Sequence, residues 1–387
     1  MRPTDIDTDR RPFVLVWEVT QACDLACDHC RADATPARHP RELTTEEGKA
    51  LLSEAARFSD DAGDGDGDGD GDDDEDQLVV LSGGDPMKRP DLPELVRHGT
   101  DAGCRMTLTP SGTDGLDRES LAELHRRGLQ RLALSFDGGD AAGHDAFRGE
   151  AGSFETTVRA AEWARELGLP LQVNTTVCAD TVDELPAIRD LVCELGAVLW
   201  SVFFLVPVGR GATLDPISPE RAERVMDWLH DVREDAPFAV KTTEAPFYRR
   251  VLLQRMRERT SGAPADGDRP SGGQSGRPSD EAMERRTGIV AGDGFAFVSH
   301  VGDVYPSGFL PEPAGNVREE SVVGLYRESP LFERLRDRDA LGGKCGACEF
   351  RGVCGGSRSR AYAHTGDPLA SDPLCPYVPD GYDGPVP

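Results

Sequence analysis

Apolar and polar positions along the chain alternate between two periods, which predicts a repeated order of strand and helix. Short runs rich in Val, Leu and Phe are the predicted strands, and each precedes a longer stretch with helical periodicity. The six strands are predicted at Phe13–Thr20, Gln77–Leu81, Arg105–Thr109, Arg131–Phe136, Leu171–Val177 and Val198–Val206. The helices after them are predicted at Thr44–Phe58, Leu92–Ala102, Arg118–Arg127, Phe154–Leu167, Val182–Leu195 and Ser218–Arg233. Six β-α repeats predict a parallel sheet with right-handed crossovers, either open or curled into a partial barrel.

The remaining chain has a less regular pattern. It predicts, in order, a short strand, a helix, a linker, a hairpin and a cysteine-bearing tail: Ala239–Thr243, Ala245–Arg259, Thr260–Asp280, Gly294–Ser299 with Asp303–Tyr305, and Gly342–Tyr377. The linker is assigned from its Gly, Ser, Pro and Asp content. We therefore predict a first domain at 1–233, a bridging segment with a flexible linker at 234–287, and a C-terminal domain at 288–387.

The charge balance narrows the possible partners. The 387 residues include 70 Asp and Glu against 43 Lys and Arg, a net charge of −27. Such a surface argues against nucleic acid, whose binding depends on clustered cations, and is typical of a protein from a salt-loving organism. Part of the excess lies in an Asp/Gly run at 60–76, which predicts a solvated, disordered insert. No apolar run approaches the ~20 residues of a membrane span.

Ten cysteines are present, and seven of them have metal-like spacings. Because the chain is long and Met1–Arg10 lacks the features of a signal segment, we expect a reducing cytoplasm rather than a disulfide scaffold. Cys104, Cys178 and Cys193 stand singly, and we expect them to pack as small apolar side chains.

Cys23, Cys27 and Cys30 form a C-x3-C-x2-C pattern directly after the first predicted strand. Three thiolates at this spacing can hold three irons of a [4Fe–4S] cube. The fourth iron is then open, as it must be if the cluster is to bind and reduce a small molecule. The alternative is a zinc site, although structural zinc usually takes four ligands in C-x2-C pairs.

The tail carries a second set of four cysteines. Cys345, Cys348 and Cys354 follow a C-x2-C-x5-C pattern, and Cys375 comes after a longer gap. Four thiolates can ligate a cube completely. A four-cysteine zinc ribbon is the alternative, although it prefers two C-x2-C pairs.

The first strand, the Cys23–Cys30 loop and the aromatic His29 before its last cysteine resemble the radical S-adenosylmethionine (SAM) superfamily. This resemblance implies a partial (β/α)6 TIM-like barrel with its chemistry at the C-terminal strand ends. The tail resembles the cysteine-rich SPASM domain of that superfamily, which often carries two auxiliary clusters. Arg358 and Ser307 stand where further ligands would be expected, so we expect one auxiliary [4Fe–4S] cluster.

The same resemblance implies a set of SAM contacts. Gly83-Gly84-Asp85-Pro86 resembles the GGE motif that binds the methionyl amine, with Asp85 in place of the usual glutamate. Ser135 and Asp137 resemble an S-x-D-G motif, and Arg148 is a candidate for the SAM carboxylate. Asn174 either faces the ligand or makes a core hydrogen bond. The expected SAM-binding residues are His29, Gly83, Gly84, Asp85, Pro86, Ser135, Asp137, Arg148 and Asn174.

Further segments at 207–211, 242–250, 297–310 and 355–363 resemble the branch that includes heme b synthases. That branch implies oxidative decarboxylation of two propionates of iron-coproporphyrin III, with ferredoxin or flavodoxin as electron donor. Arg210, Arg249 and Arg250 are then candidate propionate ligands, since guanidinium binds carboxylate through paired hydrogen bonds. Plain surface arginines are the alternative. Two other functions stay open, namely a maturase for a ribosomal peptide or quinone-cofactor precursor, and a non-catalytic iron–sulfur protein.

Overall fold

The computed structural model describes residues 6–60, 76–261 and 289–387. Most of the predicted insert at 60–76 and of the predicted linker at 260–280 lies outside the described residues. None of the helices in these ranges is long and apolar enough to cross a bilayer.

A single sheet contains the strands of the described ranges. They are β1 Val14–Thr20, β2 Gln77–Gly83, β3 Cys104–Leu108, β4 Arg131–Ser135, β5 Leu171–Val177, β6 Leu199–Phe204, β7 Ala239–Thr243, β8 Phe295–Val298, β9 Asp303–Tyr305 and β10 Gly315–Asn316. The sheet order is β10-β9-β8-β1-β2-β3-β4-β5-β6-β7, so β10 and β7 are its two edges. All neighbours from β8 to β7 are parallel. The predicted β-α order and parallel sheet are confirmed.

Helices of the β-α repeats pack on the outer face of this sheet, and further helices follow in the C-terminal segment. They are α1 Thr45–Asp60, α2 Leu92–Asp101, α3 Arg118–Arg126, α4 Ala141–Arg148, α5 Ser153–Glu166, α6 Leu185–Glu194, α7 Pro219–Asp235, α8 Tyr248–Ser261, α9 Val322–Glu328, α10 Pro330–Arg336, α11 Gly343–Ala347 and α12 Arg358–Thr365. Alternate residues of each strand face them, as Leu15, Trp17 and Val19 of β1 do with no exposed surface. Gly48 of α1 leaves room for the indole, since a Cβ there would lie 2.5 Å from a ring carbon of Trp17.

Helix α4 was not predicted, although both of its end signals are present in the sequence. The Asp140 side chain accepts from the Gly143 amide at 3.0 Å and caps the first turn. Gly149 ends the helix in the left-handed conformation, with φ of 70°. The helix carries Arg148 on its last turn, which fixes where that side chain can reach.

The C-terminal segment continues the barrel sheet. β8 pairs in parallel with β1, in the register Val14 with Phe295, and β9 then turns back antiparallel on β8. At the other edge, β7 pairs in parallel with β6. The predicted hairpin is therefore present, but its first strand also belongs to the sheet, and the predicted bridging segment supplies the strand at the opposite edge.

One buried guanidinium joins the tail to the barrel. Arg360 of α12 donates to the carbonyl oxygens of Leu205 at 3.1 Å, Phe204 at 3.2 Å and Glu244 at 2.7 Å. These carbonyls lie at the ends of β6 and β7. The remaining Arg360 nitrogen pairs with both oxygens of the fully buried Asp372, at 3.1 and 3.2 Å. Arg360 thus fixes the cysteine-rich tail to the C-terminal edge of the sheet.

Replacing Arg360 by Met should destabilise the protein by about 3–5 kcal/mol, because Asp372 would keep a buried charge without its partner. The measurement is denaturant unfolding followed by circular dichroism. Arg334→Met is the matched control: Arg334 pairs with Asp367 at 3.0 Å with about half of each side chain exposed, and loss of such a pair costs ~1 kcal/mol or less. Equal unfolding midpoints for the two variants would contradict this account of the anchor.

Candidate functional site

The three early cysteines meet in the loop after β1. Cys23 and Cys27 are buried, and they pack against each other and Leu25, with Cys30 and Ala34 at the edge of the group. Burial raises the pKa of both Cys23 and Cys27. A coordinating thiol is deprotonated by its metal, so a metal centre would reverse that shift. The loop therefore presents three thiols at one place, as a cluster with three protein ligands requires.

The two glycines at the end of β2 hold this loop. The Gly84 amide donates to the Thr20 carbonyl at 2.8 Å, and the Asp85 amide donates to the Ala22 carbonyl at 2.6 Å. A Cβ at Gly84 would lie 2.6 Å from the Gln21 carbonyl oxygen. A Cβ at Gly83 would overlap the Thr20 carbonyl oxygen. Sequence reasoning assigned these glycines to close approach of a ligand. The structure shows that they allow close approach of the cysteine loop's own backbone.

Asp85 is nearly fully buried below the loop. Its Oδ1 accepts from the Met87 amide at 3.1 Å and the Ser111 amide at 3.5 Å, and its Oδ2 accepts from the Thr113 hydroxyl. Burial raises the pKa of Asp85. Asp85 caps the turn that starts at Pro86. A carboxylate offers about four acceptor positions, and with three of them used Asp85 can accept from one more donor.

Beside Cys27 the structure gathers His29, Asp137 and Arg148. Arg148 Nη1 lies 3.5 Å from Cys27 Sγ, and Arg148 Nε lies 3.6 Å from Asp137 Oδ2. His29 Nε2 lies 3.9 Å from the same oxygen, and its ring stacks on Phe147 with centroids 4.8 Å apart. Sequence analysis placed all three polar residues at SAM, and the fold brings them together.

These three side chains have unused hydrogen-bonding atoms. Asp137 Oδ2, Arg148 Nε and His29 Nδ1 are buried without a hydrogen-bond partner in the described ranges. Leaving such atoms unpaired costs about 1–3 kcal/mol each. A ligand with an ammonium, a carboxylate and hydroxyl groups would pair them, and SAM has all of these groups. The residues present therefore fit SAM next to the cysteine loop.

Burial sets the protonation states here. It lowers the pKa of His29 to about 4, so the ring is neutral at neutral pH. Burial opposes ionisation of Asp137, but the neighbouring His29 and Arg148 overcome it and hold the pKa of Asp137 below its usual value. The group thus combines a carboxylate, a guanidinium and a neutral aromatic ring.

Ser135 and Asn174 lie level with each other on β4 and β5. The Asn174 side chain is largely buried, and its Oδ1 accepts from Gln172 Nε2 at 2.7 Å. Asn174 thus has a partner on its own strand.

The predicted substrate arginines are placed differently from one another. Arg210 donates to the carbonyl of Cys27 at 2.9 Å and of Ala34 at 3.3 Å. Arg250 is buried and pairs with Glu223, whereas Arg249 is half-buried at the first turn of α8. Arg210 thus contacts the cysteine loop and Arg250 pairs with α7, while one nitrogen of each guanidinium is buried without a hydrogen-bond partner among the described residues. Their role as substrate ligands stays a prediction.

The four late cysteines line one small cavity, as their spacing predicts. Cys345, Cys348, Cys354 and Cys375 share it with Arg250, Lys344 and Arg351. Burial raises the pKa of Cys348 and Cys354, and raises that of Cys375 to about 12. Four thiolates and their metal centre would carry net negative charge. The buried Arg250 and Lys344 offset it, whereas the exposed Arg351 already pairs with Asp339.

Arg358 adds a fourth cation to this centre. It has no exposed surface and donates to the carbonyls of Pro368 at 2.7 Å and Ala370 at 2.8 Å. Its Nη2 has no hydrogen-bond partner among the described residues. A Cβ on Gly356 would lie 2.6 Å from that nitrogen and 3.0 Å from Cys345 Sγ. The unused N–H groups of Arg358 thus lie near the sulfur of Cys345. The sequence analysis treated Arg358 only as a residue in the place of a further cluster ligand.

Two carboxylates near the loop were not predicted. Glu18 of β1 accepts from Arg31 and pairs with His300, each at 2.6 Å, and Arg31 also stacks on Phe297 at 4.5 Å. Burial opposes ionisation of Glu18, but Arg31 and His300 lower its pKa below the usual value. The only feature of the sequence that could have indicated this site is a glutamate within an otherwise mostly apolar strand.

Glu244 is the second of these carboxylates. It follows β7 with φ of 55°, and its oxygens accept hydrogen bonds from Ser307 at 3.0 Å, from Ser359 at 2.9 Å and from Ser357. Nothing in the local sequence marks this cluster, because its members lie on three separate segments. It links the end of β7 to both parts of the C-terminal domain.

Comparisons with known proteins agree with this geometry. The radical SAM superfamily profile matches residues 17–192. The AdoMet-dependent heme synthase of Methanosarcina barkeri is 40% identical over 368 residues, covering 95% of this chain and 97% of that protein. The enzyme of the same name from Nitratidesulfovibrio vulgaris is 39% identical, covering 95% and 92%. The structure of Streptococcus suis SuiB bound to S-adenosylmethionine has a TM-score of 0.68 at 16% identity, covering 95% of this chain and 78% of that one.

Replacing Arg358 by Gln should lower the midpoint potential of a cluster at the late cysteines, because hydrogen bonds to sulfur and nearby positive charge favour the reduced, more negative state. We expect at least a tenfold smaller equilibrium constant for reduction, about 59 mV for one electron. The measurement is an EPR-monitored redox titration in a Cys23→Ala background.

Arg351→Gln is the control for that titration. Arg351 also lines the cavity but pairs with Asp339 on an exposed surface, so we expect its midpoint to stay close to the parent value. An unchanged midpoint in Arg358→Gln would show that the buried guanidinium does not act on the cluster.

Proposed function

Because the chain belongs to the radical SAM superfamily, we propose that it is an AdoMet-dependent heme synthase that converts two propionates of iron-coproporphyrin III to vinyl groups. The observation that carries the proposal is 40% identity to a heme synthase across nearly the full length of both chains. At this level the similarity includes the tail and the segments around the barrel mouth, as well as the SAM-binding half.

The residues on β1, β2, β4 and α4 divide the preparatory tasks between them. We assign Cys23, Cys27 and Cys30 to a [4Fe–4S] cluster, which when bound supplies the electron that cleaves SAM into methionine and a 5′-deoxyadenosyl radical. We assign the unpaired atoms of Asp137 and Arg148 to the polar groups of SAM. His29 and Phe147 close the side of the site and exclude water.

The reaction leaves one electron to be removed at each propionate. Loss of a hydrogen atom to the deoxyadenosyl radical, then of CO2 and one electron, turns a propionate into a vinyl group. The late cysteines and the cations around them suit an auxiliary [4Fe–4S] cluster that accepts this electron. A small carrier such as ferredoxin or flavodoxin would supply the electron for SAM cleavage.

The test is anaerobic incubation of the reconstituted protein with SAM, dithionite and iron-coproporphyrin III, followed by mass spectrometry. We expect a product that has lost two carboxyl groups, together with 5′-deoxyadenosine. Release of 5′-deoxyadenosine with an unchanged porphyrin would contradict the heme synthase proposal. It would favour the second candidate, a maturase for a peptide or quinone precursor.

Two cysteine variants control this assay. Cys27→Ala should release no 5′-deoxyadenosine, because it removes one of the three expected cluster ligands. Cys193→Ala should behave as the unchanged protein, since Cys193 lies on α6 and packs at the edge of the main core, on a different element from either cysteine set.

A further inference from the structure

β7 places a lysine on the inner face of the sheet. Lys241 lies level with Ser201 of β6, and the Ser201 hydroxyl is 3.3 Å from that of Thr243. Trp200 lies on the opposite face, where it packs against Trp228 of α7. Because strand residues alternate between faces, Lys241 shares the inner face with Ser201 and Thr243. The register also makes it level with Ser135 and Asn174, two residues expected at SAM.

Lys241 is surrounded by protein and yet accessible to solvent. Burial lowers its pKa to about 8, and the nearby charges of Arg131 and Arg249 add to that shift. Its side chain is nevertheless among the exposed ones of β7. As a solvent-accessible side chain on the inner face of β7, Lys241 projects into the lumen. Arg131 begins β4, three strands away from β7. It lies four positions before Ser135 on the same strand and therefore shares the inner face with Ser135.

Neither the Lys241 nor the Arg131 side chain forms an ion pair or hydrogen bond within the described parts of the chain. The chain has only 43 cationic residues for 70 acidic ones, and most of its other inward cations, such as Arg148, Arg250 and Arg360, have a carboxylate beside them. Like charges repel each other more strongly in a protein interior than in water. An anionic ligand in the lumen would offset this repulsion.

We propose that Lys241 and Arg131 bind carboxylates of the substrate inside the lumen and so orient the porphyrin toward SAM. This inference rests on the proposed function, which makes the substrate a tetracarboxylate. The ammonium of Lys241 offers three donors, and the Arg131 guanidinium can bind one carboxylate through two hydrogen bonds. These two residues are proposed in addition to Arg210 and Arg250, whose guanidinium groups also contact the protein itself.

SAM also has a carboxylate, but the sheet order favours the porphyrin. The residues expected at SAM lie on β1, β2, β4 and β5 and on α4, whereas β7 is the edge strand beyond them. Arg148 is already next to the cysteine loop as a partner for a SAM carboxylate. A cation on β7 is therefore better placed for a ligand that extends from SAM toward the far edge of the sheet.

The experiment is anaerobic titration of the reconstituted protein with iron-coproporphyrin III, read from the shift of the porphyrin Soret band. We expect Lys241→Met and Arg131→Met each to weaken binding at least tenfold. Lys241→Arg keeps the positive charge and should bind within a few-fold of the unchanged protein, which excludes misfolding as the cause. Lys49→Met is the control, since Lys49 pairs with Glu46 and Glu94 on the helical face and should have no effect.

A second arm uses the tetramethyl ester of iron-coproporphyrin III, which has no carboxylate. The unchanged protein and Lys241→Met should bind this ester equally weakly. Tight binding of the free acid by both the unchanged protein and Lys241→Met would overturn this inference but not the proposed function. The same holds if Lys241→Met loses more affinity for SAM than it loses for the porphyrin. Failure of the unchanged protein to bind any porphyrin would overturn the proposed function, and the inference with it.

Discussion

The site depends on a close backbone contact between the ends of two neighbouring strands. The Gly84 and Asp85 amides donate to carbonyls of Thr20 and Ala22, and this is possible only because no side chain stands at the two glycines. The contact fixes the start of the cysteine loop, and Arg210 fixes its later part through the Cys27 carbonyl. Because a cluster holds its ligands at set positions, three thiols on one loop can serve it only if that loop is held in this way.

The charges near the proposed binding sites differ in sign from the net charge of the protein. The net charge of −27 is that of the whole chain, whereas cations lie at the two places where we propose that anions bind. Arg358 and Lys344 lie at the four late cysteines, and Lys241 and Arg131 face the lumen. Two of the four lysines in the chain are thus at internal positions of proposed function. Net charge argues against a nucleic-acid partner and says little about the ligand.

Local pattern was sufficient for the strands, most helices and both cysteine sets, because periodicity and spacing are local properties. It was insufficient for the parallel pairing of β8 with β1, which joins segments some 280 positions apart in the chain and depends on the whole sheet. It also could not show that Arg210 contacts a backbone carbonyl and Arg250 a carboxylate, since an arginine has the same sequence signature whether it meets a ligand or the protein itself. Lys241 was not noticed because a five-residue strand does not reveal which of its faces is the inner one.

The central claim is that Cys23, Cys27 and Cys30 hold a [4Fe–4S] cluster with one iron left for SAM. The most direct measurement is EPR of the reduced, anaerobically prepared Cys345→Ala, Cys348→Ala double variant, recorded before and after SAM is added. The account predicts a cluster signal whose g values shift on addition of SAM. A signal that does not respond to SAM, or bound zinc without iron in the protein as isolated, would contradict it.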